Sequence, residues 1–378
     1  SNMIRIDEIY QNVFFPYFVQ RQDHIQLAMH DPFGATDADS ICVYIHGEQD
    51  PKLKSVGPAG VPYLYMFDQE PVQMDVHAPA FSRIKQYGDL KKFAMITSEK
   101  NSEAVDQAKE QFGGEQFYYF FHGWAALDWY RGYNKTFLTQ DPEYRKITKT
   151  FMSPNRIIGG RRLHRLYMLY WMQKHDIIKN NWVSCPTVCP VEKWSLEHIA
   201  VQNKVHLKLP DIVDTVKKIP TPLLFPGEEE AVMSSFKLTN MDIAAECLLY
   251  HVNETVGAGQ RLHLTEKTFK PICMKMPFIL TATKGSLEYL RSYGFKTFDT
   301  VWDESYDTIG DDKKRYRIIG ELLRDLDLLS VDEKQELFEK CIPIIEHNYD
   351  HFYEGGFEEI LWDELHDMLG SVDDYFSS

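Results

Sequence analysis

The chain has 378 residues, of which 44% are apolar and 13% aromatic, a composition that supports buried cores and excludes a disordered chain. Its formal net charge of −15 at pH 7 argues against a surface that binds nucleic acid generally, because phosphate neutralisation needs clustered lysine and arginine. No run approaches the roughly 18 consecutive apolar residues of a membrane-spanning helix, so we expect no membrane span.

The length predicts two α/β domains of about 150 to 200 residues each. We expect an N-terminal Rossmann-like domain at residues 3–145, a second one at residues 146–345, and a C-terminal helical segment at residues 346–378 that packs back on the body. Ser1 and Asn2 before Met3 are typical of a cleaved expression tag, and we expect no secretory signal. Most of the six cysteines lie in apolar runs, which favours a reducing, cytoplasmic compartment.

Short apolar runs in the first half, at residues 41–45, 63–67, 93–97 and 117–121, predict buried parallel strands, and residues 102–111 predict a helix. Polar residues follow each strand, and the carboxyl ends of parallel strands meet at one edge of a sheet, where ligands bind. The polar residues that follow these strands include His46, Glu48, Asp68, Glu70, Glu99 and His122. We therefore expect one Rossmann-like sheet with its functional edge at these four loops.

Residues 129–149 are polar and aromatic, and we interpret them as the connection between the two domains. A second βα series then begins, with a predicted strand at 148–152, a loop at 153–160 and an amphipathic helix at 161–174. This series predicts that the second domain is also built on a parallel sheet.

The proline-rich stretch at residues 180–239 predicts only a strand or two. Residues 248–298 then predict a βαβαβ unit, with polar residues where strands end and helices begin. From Arg315 onward the pattern is helical and ends in acidic amphipathic segments near 331–348 and 356–369. The fold class is therefore α/β with C-terminal helices.

The first candidate site is a basic cluster between a predicted strand and a predicted helix. Its candidate ligand-binding residues are Asn155, Arg156, Arg162, His164 and Arg165. Gly159 and Gly160 allow a ligand to approach the backbone, and the N-terminus of a helix attracts an anion. A guanidinium group can bind two phosphate oxygens at once. A diphosphate is the expected ligand. The alternative is a solvated basic helix face that pairs with the acidic C-terminal helices.

The second candidate site joins Glu254, at a predicted strand end, to Thr265, Glu266 and Lys267 at the next helix start. A carboxylate in this position can bind ribose or sugar hydroxyls, and Lys267 can stabilise a departing diphosphate. The alternative is plain helix capping by Thr265. Capping does not explain Lys267, because a cation is disfavoured at a helix N-terminus, so the lysine indicates an anionic ligand.

Asp68 and Glu70, which follow the strand at 63–67, suit a general base that deprotonates an acceptor hydroxyl. The alternative is a polar turn that leads into Pro71. Residues on the same edge that could orient or replace the base are His46, Glu48 and His122.

Two Asp-x-Asp patterns, at residues 37–39 and 325–327, match the sequence of metal-binding aspartate pairs but not their structural context. The first lies in a Gly/Ala-rich loop, and the second lies on a predicted helix, where a two-residue spacing turns the carboxylates apart. Cys185 and Cys189 lack a second Cys or His pair nearby. We therefore expect no metal and no resident cofactor.

Three blocks resemble fucosyltransferase-like glycosyltransferases. Asn253-Glu254-Thr255 followed by Thr265-Glu266-Lys267 resembles the donor-site motif of α1,3-fucosyltransferases and of related proteins from large bacteriophages and other viruses. The turn Asp68-Gln69-Glu70-Pro71 is similar to the turn that supplies their catalytic base. The basic cluster at residues 155–165 is similar to the entry of their donor domain.

The resemblance implies a GT-B architecture, with two facing Rossmann-like domains and the donor in the C-terminal one, and metal-independent inverting transfer. It implies Glu70 as the base, with Asp68 beside it. Donor binding would fall to the basic cluster and to Glu254, Thr255, Thr265, Glu266 and Lys267. The co-substrate would be a UDP- or GDP-linked sugar.

The acceptor implied by the resemblance is a glycan or a hydroxymethylated pyrimidine in phage DNA, and a viral source would place the protein in the host cytoplasm. A nucleotide-sugar-binding or assembly protein that lacks catalysis remains the alternative. An enzyme that turns over the sugar nucleotide without an acceptor, such as an epimerase, is a more distant one.

Overall fold

The structure, a computed structural model, describes these residues: 2–6, 13–14, 16–17, 25–29, 40–44, 63–67, 71–73, 78, 93–112, 117–132, 141–228 and 240–378. The chain divides into two compact units. Unit 1 comprises Ser1–Asp128, Gln260–His263 and Gly355–Ser378, and unit 2 comprises Trp129–Gly259 and Leu264–Glu354. Both units combine a parallel sheet with helices, as the α/β prediction requires.

The division into units differs from the predicted domains at both ends of unit 2. Unit 2 begins at Trp129 rather than at residue 146, and the final helix belongs to unit 1 rather than to a separate segment. Contacts of the predicted connection explain the first difference. The Arg145 guanidinium donates to the Lys275 carbonyl at 2.5 Å and to the Met274 carbonyl at 3.0 Å, so this stretch is tied into unit 2.

The strands of unit 1 are β1 (Asn2–Ile6), β2 (Ile25–Met29), β3 (Ser40–Tyr44), β4 (Tyr63–Phe67), β5 (Phe93–Thr97) and β6 (Phe117–Tyr119). The strands of unit 2 are β7 (Lys149–Ser153), β8 (Trp182–Val183), β9 (Cys247–Asn253) and β10 (Phe278–Thr281). All of the described pairings between these strands are parallel.

Eleven α-helices are numbered here within the described residues. They are α1 (Glu103–Phe112), α2 (Gly123–Leu127), α3 (Leu163–Lys174), α4 (Leu196–Gln202), α5 (Ile212–Lys217), α6 (Met241–Ala244), α7 (Glu266–Cys273), α8 (Ser286–Ser292), α9 (Asp312–Asp327), α10 (Val331–Tyr353) and α11 (Gly356–Ser377). None of them is both long enough and apolar enough to span a membrane.

The sheet of unit 1 has the strand order β2-β1-β3-β4-β5-β6, so its order reverses between β1 and β3. Local chemistry accounts for its described elements. In β5 the run Ala94-Met95-Ile96 is fully buried, as expected for a strand covered on both faces. The helix α1 begins where the Ser102 hydroxyl accepts the Val105 N–H at 3.2 Å, an N-cap that satisfies one of the first helical donors.

The sheet of unit 2 has the order β10-β9-β7-β8, so its order reverses between β7 and β9. Every residue of β9 is buried, as expected for a parallel strand that is covered on both faces. His251 lies in this strand and connects the two neighbouring strands, since its ring nitrogens lie 2.8 Å from Ser153 Oγ in β7 and 2.7 Å from Thr281 Oγ1 in β10. Burial lowers the pKa of His251 to about 3, so the ring is neutral at pH 7.

The predicted βαβαβ unit at 248–298 forms β9, α7, β10 and α8, but the prediction of a third strand is wrong. Side chains take up the backbone groups that a strand would pair. The Lys296 N–H donates to Asn348 Oδ1 at 2.8 Å, and the Lys296 carbonyl accepts from Asn348 Nδ2 at 2.9 Å. The Phe298 N–H donates to Glu304 Oε2 at 3.0 Å. Residues 295–298 therefore form a loop and not a strand.

Candidate functional site

The loops after β7 and β9 flank the point where the strand order of unit 2 reverses. In open α/β sheets ligands bind in this crevice, at the carboxyl ends of the strands. Asn155 and Asn253 connect the two loops, because Asn253 Nδ2 donates to Asn155 Oδ1 at 2.7 Å. Asn155 is held in turn by Ser153 and Ser184, whose carbonyls accept its Nδ2. Asn253 Oδ1 is buried, and no donor among the described residues reaches it.

Glu254 is fully buried and accepts four hydrogen bonds from the protein. Its Oε1 accepts from the Thr255 N–H at 2.7 Å and from the Thr265 hydroxyl at 2.6 Å. Its Oε2 accepts from the Thr265 N–H at 2.9 Å and from the Thr268 hydroxyl at 2.7 Å. A carboxylate has about four acceptor positions. Glu254 therefore fixes the loop after β9 to the first turn of α7.

Lys267 lies in the first turn of α7, beside the N-cap residue Thr265, whose hydroxyl accepts the Lys267 N–H at 3.3 Å. Its ammonium group donates to Thr255 Oγ1 and to Glu266 Oε1, both at 3.1 Å. The Lys267 side chain is 24% exposed, whereas that of Glu266 is 7% exposed. The structure thus places a partly exposed cation at a helix N-terminus on the edge of the sheet.

His164 and Arg165, both predicted to bind the donor, are buried and bind backbone carbonyls. His164 Nε2 lies 2.6 Å from the Glu254 carbonyl and therefore carries the proton. Arg165 donates to the carbonyls of Ile157 at 2.7 Å, Asn253 at 3.2 Å and Glu254 at 3.3 Å. Burial, followed by repulsion from Arg165, lowers the pKa of His164 well below its usual value. Burial likewise lowers the pKa of Arg165 to about 9.

Arg156 and Arg162 keep contact with solvent, since Arg156 is exposed and Arg162 is half-buried. Arg162 lies in the 3-10 turn Gly160–Arg162 that leads into α3, and this turn has no side-chain cap. Gly160 has a φ of +61°, a left-handed conformation that favours glycine. The exposed part of the predicted basic cluster is therefore this turn and Arg156.

The Cys189 thiol is close to part of the same loop. Burial raises the pKa of this thiol, but the nearby backbone N–H groups of Glu192, Gly159, Ile158 and Val191 lower it by more.

Two further residues of α9 fix the loop after β9, and the sequence analysis did not identify them. The Arg315 guanidinium is fully buried and donates to the carbonyls of Gly257 at 3.1 Å and Ala282 at 2.9 Å. The Tyr316 hydroxyl also donates to the Gly257 carbonyl. A Cβ on Gly257 would lie 2.2 Å from His164 Cγ, so this glycine is required by the close approach of an imidazole ring. No sequence pattern marks these contacts, because a basic residue in a helix usually faces solvent.

In unit 1, His122 follows β6 and is the one predicted acceptor-side residue that the structure describes. It is 2% exposed, and its ring stacks on that of His263 with centroids 5.8 Å apart. His263 Nδ1 lies 2.9 Å from Ser98 Oγ. The other predicted residues of this side, His46, Glu48, Asp68 and Glu70, lie outside the described residues.

A buried ion pair, which the sequence analysis did not identify, lies on the same edge of unit 1. Arg261 Nε and Nη2 donate to Glu99 at 2.5 and 2.7 Å, and the side chain of Glu99 is fully buried. Glu99 also accepts the Val72 N–H at 2.6 Å. This pair ties Gln260–His263 to the sheet of unit 1. Within the part of the chain that the structure describes, no cluster of three or more His, Cys, Asp or Glu residues is arranged to hold a metal ion.

No protein-family model matches the chain, and no curated protein matches it in sequence. Among solved structures, it is similar to one of trehalose-6-phosphate synthase, from work on enzymatic glycosyltransfer with retention. The identity is 11%, the match covers 94% of this chain and 85% of that chain, and the TM-score is 0.36. A likeness of this size assigns neither a fold family nor an activity to the chain.

Proposed function

We propose that the chain is a GT-B-type glycosyltransferase that moves a sugar from a nucleoside-diphosphate sugar to an acceptor hydroxyl. The observation that carries this proposal is the edge of the unit 2 sheet. There the strand order reverses between β7 and β9, and the partly exposed cation of Lys267 begins the helix that follows β9. Arg156 and Arg162, in the loop that follows β7, supply the exposed positive charge that a diphosphate requires.

Within this proposal, the predicted donor-binding residues have different tasks. Lys267, Arg156 and Arg162 bind the diphosphate, and the buried acceptor Asn253 Oδ1 takes a hydroxyl or N–H of the donor, which removes the cost of an unpaired acceptor. Glu254 has all of its acceptor positions occupied, so we assign it to holding α7 and Lys267 in place. His164 and Arg165 hold the loop after β9.

In the proposed reaction Glu70, with Asp68 beside it, takes the proton of the acceptor hydroxyl. The acceptor oxygen forms a bond to the anomeric carbon, the bond from that carbon to the diphosphate oxygen breaks, and Lys267 stabilises the charge on the departing diphosphate. A single displacement of this kind inverts the anomeric configuration and needs no metal. The acceptor is a glycan or a hydroxymethylated pyrimidine in DNA, and the cytoplasmic location stays a prediction.

A thermal-shift screen against UDP-, GDP-, CMP- and ADP-sugars, with and without EDTA, tests donor binding. A ligand that binds only the folded state raises the unfolding midpoint by mass action. Sugars of one nucleotide class should raise the unfolding midpoint of the wild type both with and without EDTA. Lys267→Ala should bind the same sugar nucleotide about 10- to 100-fold more weakly. Lys314→Ala, which removes an exposed lysine from the first turn of α9, is the matched control.

Transfer to glycans and to hydroxymethylated DNA is then measured with the sugar nucleotide that binds. Glu70→Gln should bind this donor normally and lose transfer. A wild type that binds the donor but neither hydrolyses nor transfers it is a binding protein, which is the alternative function. Absence of any shift in the screen, or full transfer by Lys267→Ala, would refute the proposed donor site.

A further inference from the structure

The carboxylate of Glu192 lies directly on the two glycines of the basic loop. A Cβ on Gly159 would lie 1.7 Å from Glu192 Oε2, and a Cβ on Gly160 would lie 2.6 Å from Glu192 Oε1. Gly159 has a φ of −86°, which any residue can adopt. Glycine at position 159 therefore lets the Glu192 carboxylate approach the backbone closely, and backbone strain plays no part.

Other carboxylates at the carboxyl edge of this sheet are bonded to helix donors. Glu254 accepts the Thr265 N–H at the start of α7, and Asp307 accepts the N–H groups of Leu287 and Glu288 at 2.9 and 3.2 Å at the start of α8. Each of these carboxylates is a permanent part of the helix that it caps.

Glu192 differs from them. Its Oε2 atom is buried, and no donor among the described residues bonds to it. A buried charged acceptor without a partner is costly, so the contact between Glu192 and the glycines is weakly stabilised and easily exchanged. The loop that it covers carries Arg156, Arg161 and Arg162, which attract anions.

We propose that Glu192 occupies the position on the Gly159-Gly160 loop that a phosphate group of the donor takes, and that it leaves this position when the donor binds. The inference rests on the proposed function, because it concerns the same diphosphate site. A carboxylate and a phosphate carry charges of the same sign, so they compete for the loop. Glu192 thereby weakens the binding of every phosphate compound.

Isothermal titration with inorganic pyrophosphate, GDP and UDP tests the proposal, with guanosine and uridine as uncharged probes. Glu192→Gln removes the competing charge and should bind pyrophosphate, and whichever nucleotide the wild type binds, about tenfold more tightly. The nucleosides should bind both proteins equally. Glu197→Gln, which makes the same charge change in the first turn of α4, should leave all affinities unchanged.

Glu192→Ala repeats the test without the glutamine amide. Thermal unfolding of Glu192→Gln, Glu192→Ala and Glu197→Gln checks that each variant folds. Equal or weaker binding of pyrophosphate and nucleotide by Glu192→Gln and Glu192→Ala would overturn the inference while leaving the proposed function intact. Weaker binding would instead make Glu192 an acceptor for a ligand hydroxyl. If no phosphate compound binds the wild type or either variant, the proposed function fails, and the inference fails with it.

Discussion

Replacing Glu254 with glutamine removes one charge and leaves the shape of the side chain nearly unchanged. The carboxylate accepts two backbone N–H groups, of Thr255 and Thr265, and two hydroxyls, of Thr265 and Thr268. Each of its oxygens accepts one N–H and one hydroxyl. The hydroxyls can rotate toward a new partner, but the two N–H groups are fixed by the backbone.

The cost of Glu254→Gln follows from this geometry. In either orientation the glutamine amide points its NH2 group at one of the two fixed N–H groups and leaves that donor buried without an acceptor. An unsatisfied buried donor costs about 1 to 3 kcal/mol, and the remaining bonds lose the strength of a charged acceptor. We expect a loss of about 2 to 4 kcal/mol in the free energy of unfolding.

Urea unfolding followed by tryptophan fluorescence measures this loss as a shift of the midpoint. Glu288→Gln, an exposed change in the first turn of α8, should shift the free energy by less than about 0.5 kcal/mol. Because Glu254 anchors the turn that carries Lys267, binding of the sugar nucleotide should weaken in the glutamine variant as well. A loss below about 1 kcal/mol would refute the argument that all four bonds depend on the charge.

Two further predictions concern unit 2. Because burial lowers the folded-state pKa of His251 to about 3 from 6.5, the unfolded chain binds the extra proton below pH 6.5. Stability should therefore fall between pH 6.5 and 3 by about 1.4 kcal/mol per unit for this residue, and His251→Gln should remove that slope from urea midpoints measured at pH 7, 6, 5 and 4. Gly257→Ala places a Cβ 2.2 Å from His164 Cγ and should cost about 1 to 3 kcal/mol. In a His164→Ala background the same change should cost much less, and an equal cost in both backgrounds would show that the ring is not the obstacle.

Much of the described sheet structure could be predicted because a buried parallel strand is a continuous apolar run. The runs at 63–67 and 93–97 form β4 and β5 with the predicted bounds. The segment Phe295-Lys296-Thr297-Phe298 did not form the predicted third strand. Its backbone groups bond to Asn348 and Glu304, which are distant in sequence, and a local pattern contains no information about such partners.

The meeting of polar residues at one edge of the unit 2 sheet could also be predicted, because the carboxyl ends of parallel strands lie at the same edge. The task of each residue at this edge could not be predicted. Arg156 and Arg165 are the same residue type in the same segment, yet Arg156 is exposed and Arg165 is 4% exposed and bonded to carbonyls. Their difference depends on how α3 packs, and so does the contact of His164 with Gly257.

Burial separates the cations of unit 2 into two groups with different tasks. A guanidinium group removed from water costs several kcal/mol unless acceptors surround it, and Arg165 and Arg315 are accordingly bonded to carbonyls of the site loops. Their charge is therefore committed to holding those loops. Arg156 and Lys267 remain in contact with solvent, so their charge can attract an anion at little desolvation cost. A change at Arg165 or Arg315 should therefore lower stability and binding together, whereas a change at Lys267, which also pairs with Glu266, should lower binding more than stability.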